Sequence, residues 1–257
     1  MTDGKDAPII IVSSFVAACA RNSVRKDIYI MDKNLEKLIL KTHAVQEIEK
    51  LINTYEYKLS RALLEDVEQL FALNMPDVRI ELSFGKYLGP EGVHRCIVGL
   101  HGKMFREADG SPAIGTFHMN NNTCGIIEVA GDLKTAKGLW TCPGTYNNKD
   151  DASPTGATSM AGACLRSCDF IYDEEEGQWK MWHYVVTGIM SYRMGETPAS
   201  GGVDMATADW KDLFDETSRP DGPPSNSWMY SPNRCVEYKD YNRVPEPYET
   251  FSETFSY

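Results

Sequence analysis

The stretch Gly115–Cys142, GTFHMNNNTCGIIEVAGDLKTAKGLWTC, decides the fold. Two strand-like runs flank Gly131-Asp132, a dipeptide that closes hairpins because its residues tolerate the turn's backbone angles. The first run carries His118 and then Asn120, Asn121 and Asn122; the second ends in Leu139-Trp140-Thr141-Cys142. Alternation along a strand puts His118 on one face with Thr116, Asn120 and Asn122. A titratable ring beside amide side chains, opposite a bulky aromatic wall, is what a pocket for an oxygenated organic molecule requires. The plainer reading is a core histidine satisfied by its neighbours.

Working outward, the segment before the hairpin is helical. Val45, Ile48, Leu51, Ile52, Tyr55 and Leu59 recur at three- and four-residue spacing, which predicts a helix over 35–61. A second helix is predicted over 64–73, stopped by Asn74-Met75-Pro76-Asp77. Val78–Phe84 alternates as a half-buried strand, Gly85–Gly89 reads as a tight connection around Tyr87, and a third helix covers 91–106. After Cys142, residues 143–156 are too rich in Gly, Pro, Asn and Asp to predict regular structure. A second hairpin is expected, with arms 159–172 and 178–193. Its last strand is apolar in both phases, so both of its faces need cover, one from the helices and the other from the tail or a partner. Residues 195–257 lack periodicity, apart from a possible helical turn around 205–214. They hold Trp228, Tyr230, Tyr238, Tyr241 and Tyr248, more rings than disordered tails usually carry. They are read as an extended arm anchored by those rings over the domain or a second subunit.

The chain has 257 residues, 42% hydrophobic and 25% charged, ordinary for a globular protein with a core. Its 26 Lys and Arg against 37 Asp and Glu give a formal net charge of -11, which repels phosphate backbones and argues against nucleic acid as a partner. Seven cysteines without a CxxC pair indicate reduced thiols and a cytoplasmic location. Five histidines without HxxxH spacing give a metal no support, and GxGxxG and GxxxxGK[ST] are absent, so no cofactor is expected. The apolar run Ala7–Ala20 is too short to span a membrane. Acidic residues precede it where an export signal would be basic, and translation starting at Met31 is an alternative.

The order helix–helix–strand–helix–hairpin–hairpin resembles the cone-shaped α+β fold of nuclear transport factor 2 and the SnoaL-like polyketide cyclases and dehydratases. EIEKLINTYEYKLSRALLEDVEQLFA (47–72) resembles the family's opening helices, and DVRIELSFGKYLGPEGV (77–93) its first strand, glycine turn and third helix. FHMNNNTCGIIEV (117–129) resembles its His-bearing strand and EGQWKMWHYVVTGIMSYR (176–193) its closing strand. The resemblance implies a curved antiparallel sheet packed on three N-terminal helices over residues 44–194. An N-terminal extension, 1–43, and a Pro/aromatic-rich arm, 195–257, flank it. It also implies a pocket Tyr, matched by Tyr55, and a strand His, matched by His118; Ser60 stands where the dehydratases carry an Asp. A homo-oligomer, dimer or trimer, is implied as well.

The expected activity is therefore a cofactor-independent elimination or isomerisation of an aromatic or polycyclic oxygenated small molecule. His118 and Tyr55 are the acid–base pair and His183 a further catalytic candidate. Phe84, Tyr87, Asn120, Asn122, Trp140 and Arg193 are the candidate substrate-binding residues. The competing expectation is a non-catalytic binding or dimerisation module of the same fold.

Overall fold

A computed structural model describes residues 21–149, 154, 156–200, 214–225, 230, 233 and 242–257, with side chains from residue 32 and without those of residues 149 and 200. The chain divides into two units, 1–40 and 41–257. In the first, residues 21–40 are helical, and Leu35, Leu38 and Ile39 are exposed. No described helix is long and apolar enough to cross a membrane. The Ala7–Ala20 run and residues 205–213 of the turn expected around 205–214 lie outside the described residues.

In the second unit the helix α1 (Arg21–Leu59) runs on past Lys41, and its stripe of Ala44, Ile48, Ile52, Tyr55 and Leu59 is buried. Helix α2 (Leu64–Glu68) is shorter than the periodicity predicts. Its chain turns at Gln69 and bridges to the sheet instead, with Ala72 N–H donating to Met181 O at 2.8 Å. Strand β1 (Arg79–Leu82) follows. Where a tight connection was expected, Gly85–Leu88 forms a second strand, β2, antiparallel to β1. The predicted third helix is one continuous run in three parts: α3 (Gly89–His94), a π-helical turn (Arg95–Leu100) and α4 (His101–Phe105). Gly89 takes φ +70, which a side chain would strain, and Pro90 then opens the helix.

The remaining strands are β3 (Phe117–Asn120), β4 (Thr123–Val129), β5 (Thr135–Lys149), β6 (Ala157–Asp173) and β7 (Gln178–Arg193). The hairpin expected at Gly131-Asp132 closes between β4 and β5, with Val129 opposite Ala136. The left-handed residue of its turn is Leu133, and Asp132 Oδ1 accepts from Lys134 N–H at 3.0 Å. Residues 143–149 are strand rather than loop. They pair with β6 on one side, from Pro143↔Ala163 to Lys149↔Ala157, and with β3 on the other. Pro143 falls at the break between β3 and β4, where its missing N–H costs the ladder least.

The seven strands form one sheet in the order β2-β1-β7-β6-β5-β3, with β4 also on β5. The α+β class expected from the sequence is the one observed. The sheet is mixed rather than antiparallel throughout, because β1 joins β7 in parallel. Core side chains from the helices meet Val129, Ala136, Trp140, Phe170 and Tyr184 of the sheet.

The other face of β5–β7 is covered by residues 242–257. Gly131 and Asp132 N–H donate to the carbonyls of Tyr248 and Glu249 at 2.9 and 3.0 Å. Beneath this cover Lys137 and Asp169, both fully buried, pair at 2.6 Å. The Lys137 ammonium lies 4.4 Å from the Phe255 ring centroid, 4.8 Å from Phe251, 5.2 Å from Tyr257 and 5.9 Å from Tyr248. Of the two covers considered for the apolar β7, the tail is the one seen. Of the other tail rings named from the sequence, Tyr230 is described and its backbone N–H donates to Ile189 O; Trp228, Tyr238 and Tyr241 lie outside the described residues.

Candidate functional site

Helix α1, the end of β1 with the loop after it, helix α4 and strands β3, β5, β6 and β7 together line a half-open cavity of about 430 Å³. Strands β3 and β5 contribute alternate residues to it, whereas β6 also presents Gly162 and Ala163. Strand β3 supplies His118 and Asn120; β5 supplies Cys142, Tyr146 and Asn148; β6 supplies Cys164 and Arg166. The helices bring Tyr55, Leu59, His101 and Phe105, so the expected pair Tyr55 and His118 line the same hollow.

The His118 ring sits in an aromatic row, 5.3 Å from Phe105 and 6.0 Å from Tyr146 between centroids. Its Nε2 lies 3.2 Å from the Asn120 amide, while Nδ1 is buried without a partner among the described residues. Burial, with help from the charges of Arg166 and His101, pushes His118 down to about 3, so its ring is neutral at physiological pH. As placed, it is Asn120 Nδ2 that faces Nε2; turning the amide over, which heavy-atom positions do not distinguish, sets its oxygen there instead. With the Asn120 oxygen toward Nε2–H, Nδ1 is left as an available base.

Tyr55 is buried, its ring edge-on to Tyr184 at 5.2 Å. Burial raises its phenol well above the ordinary value, so it stays protonated and can only donate or accept as a neutral hydroxyl. The Arg166 guanidinium lies 5.9 Å from the Tyr55 ring centroid. It pairs with buried Glu56 through Nη1 and also donates to Asn122 Oδ1 at 3.3 Å. Arg166 Nε and Glu56 Oε2 remain without partners among the described residues. His101 donates from Nδ1–H to Cys96 O, 2.7 Å away, and burial first, then Arg166, pushes it to about 4.

Phe84 and Asn120 line the cavity as expected. Other expected residues do not. His183 is a correction: a residue of β7 next to the inward Tyr184, it faces the covered side. There its Nδ1 lies 2.8 Å from Asp169 Oδ2 and 2.9 Å from Ser256 Oγ, and its ring stacks on Trp182 at 4.1 Å. Arg193, at the exposed end of β7 opposite Met160, is away from the cavity. Trp140 is buried edge-on to Phe170 at 6.1 Å and fills the core beside the cavity. Tyr87 is buried and donates to Ser218 O at 2.8 Å, tying the tail to β2. Asn122 is off the cavity wall too. Its amide donates to Ile52 O at 3.3 Å and Asn53 Oδ1 at 3.1 Å, and its oxygen receives Arg166, so it orients the guanidinium.

Sequence reasoning missed Glu56, Arg166, His101 and Tyr146. Two of them had a legible signal. Glu56 continues the inward spacing of Ile52 and Leu59, and Arg166 shares the strand face of Cys164 and Cys168. Among the described residues, no group of three His, Cys, Asp or Glu stands close enough to hold a metal ion.

No protein-family model and no curated protein matches the sequence. Solved structures are similar in fold at low identity. An NTF2-like superfamily protein from Salmonella enterica serovar Typhimurium is 16% identical, with 61% of this chain and 98% of that one covered, at a TM-score of 0.46. LinA is 14% identical over 63% of this chain and 96% of its own, at 0.48. A candidate scytalone dehydratase from Novosphingobium aromaticivorans is 17% identical over 63% and 90%, at 0.44. These likenesses concern the backbone; the cavity's chemistry has to be read from its own side chains.

Proposed function

We propose that the cavity binds an oxygenated aromatic or polycyclic small molecule and that the protein is a lyase that eliminates from it by general acid–base catalysis. What supports this reading above all is the unpartnered Nδ1 of neutral His118 in the wall of an apolar hollow that also holds Tyr55 and Arg166. His118 takes a proton from carbon beside a carbonyl, and the Tyr55 hydroxyl or the Arg166 guanidinium meets the oxygen on which charge develops. Glu56 balances Arg166, so the unloaded cavity carries no bare charge. Isomerisation would use the same proton transfer, with the proton returned to a different carbon.

The test is incubation of purified protein, without added cofactor, with hydroxylated steroids, bile-acid thioesters and diaryl-propanoid compounds. Product analysis separates loss of water, loss of a carbon fragment and double-bond migration. Full turnover retained in both His118→Ala and Tyr55→Phe would remove this site.

A further inference from the structure

Cys142 and Cys164 lie directly opposite one another on antiparallel β5 and β6, and both line the cavity. Opposed residues in such a ladder have Cα atoms about 4.5–5.5 Å apart, inside the range of roughly 4.4–6.8 Å that a disulfide spans. Both are free thiols in this structure. Cys142 Sγ lies 3.2 Å from Asn122 Oδ1, and Cys164 Sγ lies 3.8 Å from Cys142 O. The geometry points to Cys142 and Cys164 as a reversible dithiol site that hydroperoxides oxidise to a disulfide within the cavity wall.

Two features make Cys164 the attacking member. Hydrogen bonding from Cys142 and the charge of Arg166 outweigh burial and bring the Cys164 thiol down to about 7, while Cys142 is raised. Cys164 also keeps some solvent-accessible surface, whereas Cys142 is buried. Its thiolate attacks one peroxide oxygen and breaks the O–O bond, giving a sulfenic acid and releasing water or an alcohol. The Cys142 sulfur then attacks that sulfenic sulfur and displaces hydroxide, which leaves as water with the Cys142 proton. Two thiols and one hydroperoxide thus become one disulfide, one alcohol (water when the oxidant is hydrogen peroxide) and one water. The two electrons pass from sulfur to oxygen. The bridged pair has no S–H left to give Asn122, so the amide that orients Arg166 loses one of its partners.

The site does not depend on which small molecule the cavity takes. Hydrogen peroxide added to the full chain, followed by thiol blocking and non-reducing peptide mapping, tests it without needing any variant to fold. The expected result is the loss of two titratable thiols and a Cys142–Cys164 cross-linked peptide, both reversed by dithiothreitol. In Cys142→Ser, which keeps a hydrogen-bond donor beside Cys164 but cannot close the bridge, Cys164 is expected to stop at the sulfenic acid and be labelled by dimedone. Oxidation confined to exposed Cys124, or a bridge between any other pair, would overturn the proposal.

Discussion

His118 and His101 are two imidazoles kept neutral inside the protein, and this has consequences for both activity and stability. Replacing His118 by Ala is expected to lower turnover of any compound the panel identifies by roughly 10²–10⁴-fold, the usual worth of a general base. A loss within a few-fold would move the proton transfer elsewhere. Both rings bind protons less readily in the folded chain than in the unfolded one, at about 3 and about 4 against an ordinary 6.5. Between those limits the unfolded state holds more protons, so folding stability is complete above about pH 6.5 and declines as the pH falls toward 3. Thermal melts across that window should show Tm dropping on acidification, and His118→Gln should make the drop shallower. A melting profile unchanged by His118→Gln would mean that the ring takes up a proton as readily in the fold as in the unfolded chain.

At the scale of elements, how much the sequence revealed depended on how local the cause was. Helix α1 and strand β1 followed from side-chain periodicity, and the β4–β5 hairpin from its turn residues, because each is determined within a few residues. Residues 143–149 defied their composition because two neighbouring strands pair with them, and that pairing is remote in sequence. The placing of Tyr55 and His118 on one cavity was legible from strand alternation and family resemblance together. His183 was misplaced because a strand apolar in both phases does not say which face looks inward. The π-turn left no local trace. It lets His101 reach Cys96 O with both its backbone N–H and its ring, and Gly99 within it lies under the tail. A Cβ on Gly99 would stand 1.9 Å from Thr217 O, a backbone atom that cannot swing aside. Gly99→Ala is therefore expected to destabilise the protein by about 1–3 kcal/mol in urea unfolding, with the strain falling on the contact with residues 214–222. An unchanged midpoint would show that this tail segment is not held there.

For the whole molecule, the sheet is finished only by residues 242–257. Lys137 draws its support from Asp169 and from four tail rings. Burial pulls the ammonium below its ordinary value while Asp169 works against that. Removing either partner strands a charge, so Lys137→Met and Asp169→Asn should each cost about 3–5 kcal/mol, and the double variant clearly less than their sum. Additive losses in denaturant titrations would mean the two groups do not act as a pair. The order of synthesis adds a further consequence. Strands β5 to β7 emerge from the ribosome well before the residues that roof them, so a nascent chain carries Lys137, Asp169 and the apolar side of β7 open to solvent until residues 242–257 have emerged as well. A premature stop ahead of Tyr248 would make that interval permanent, leaving a product with its helices and strands intact and one broad sticky flank for chaperones and proteases to find.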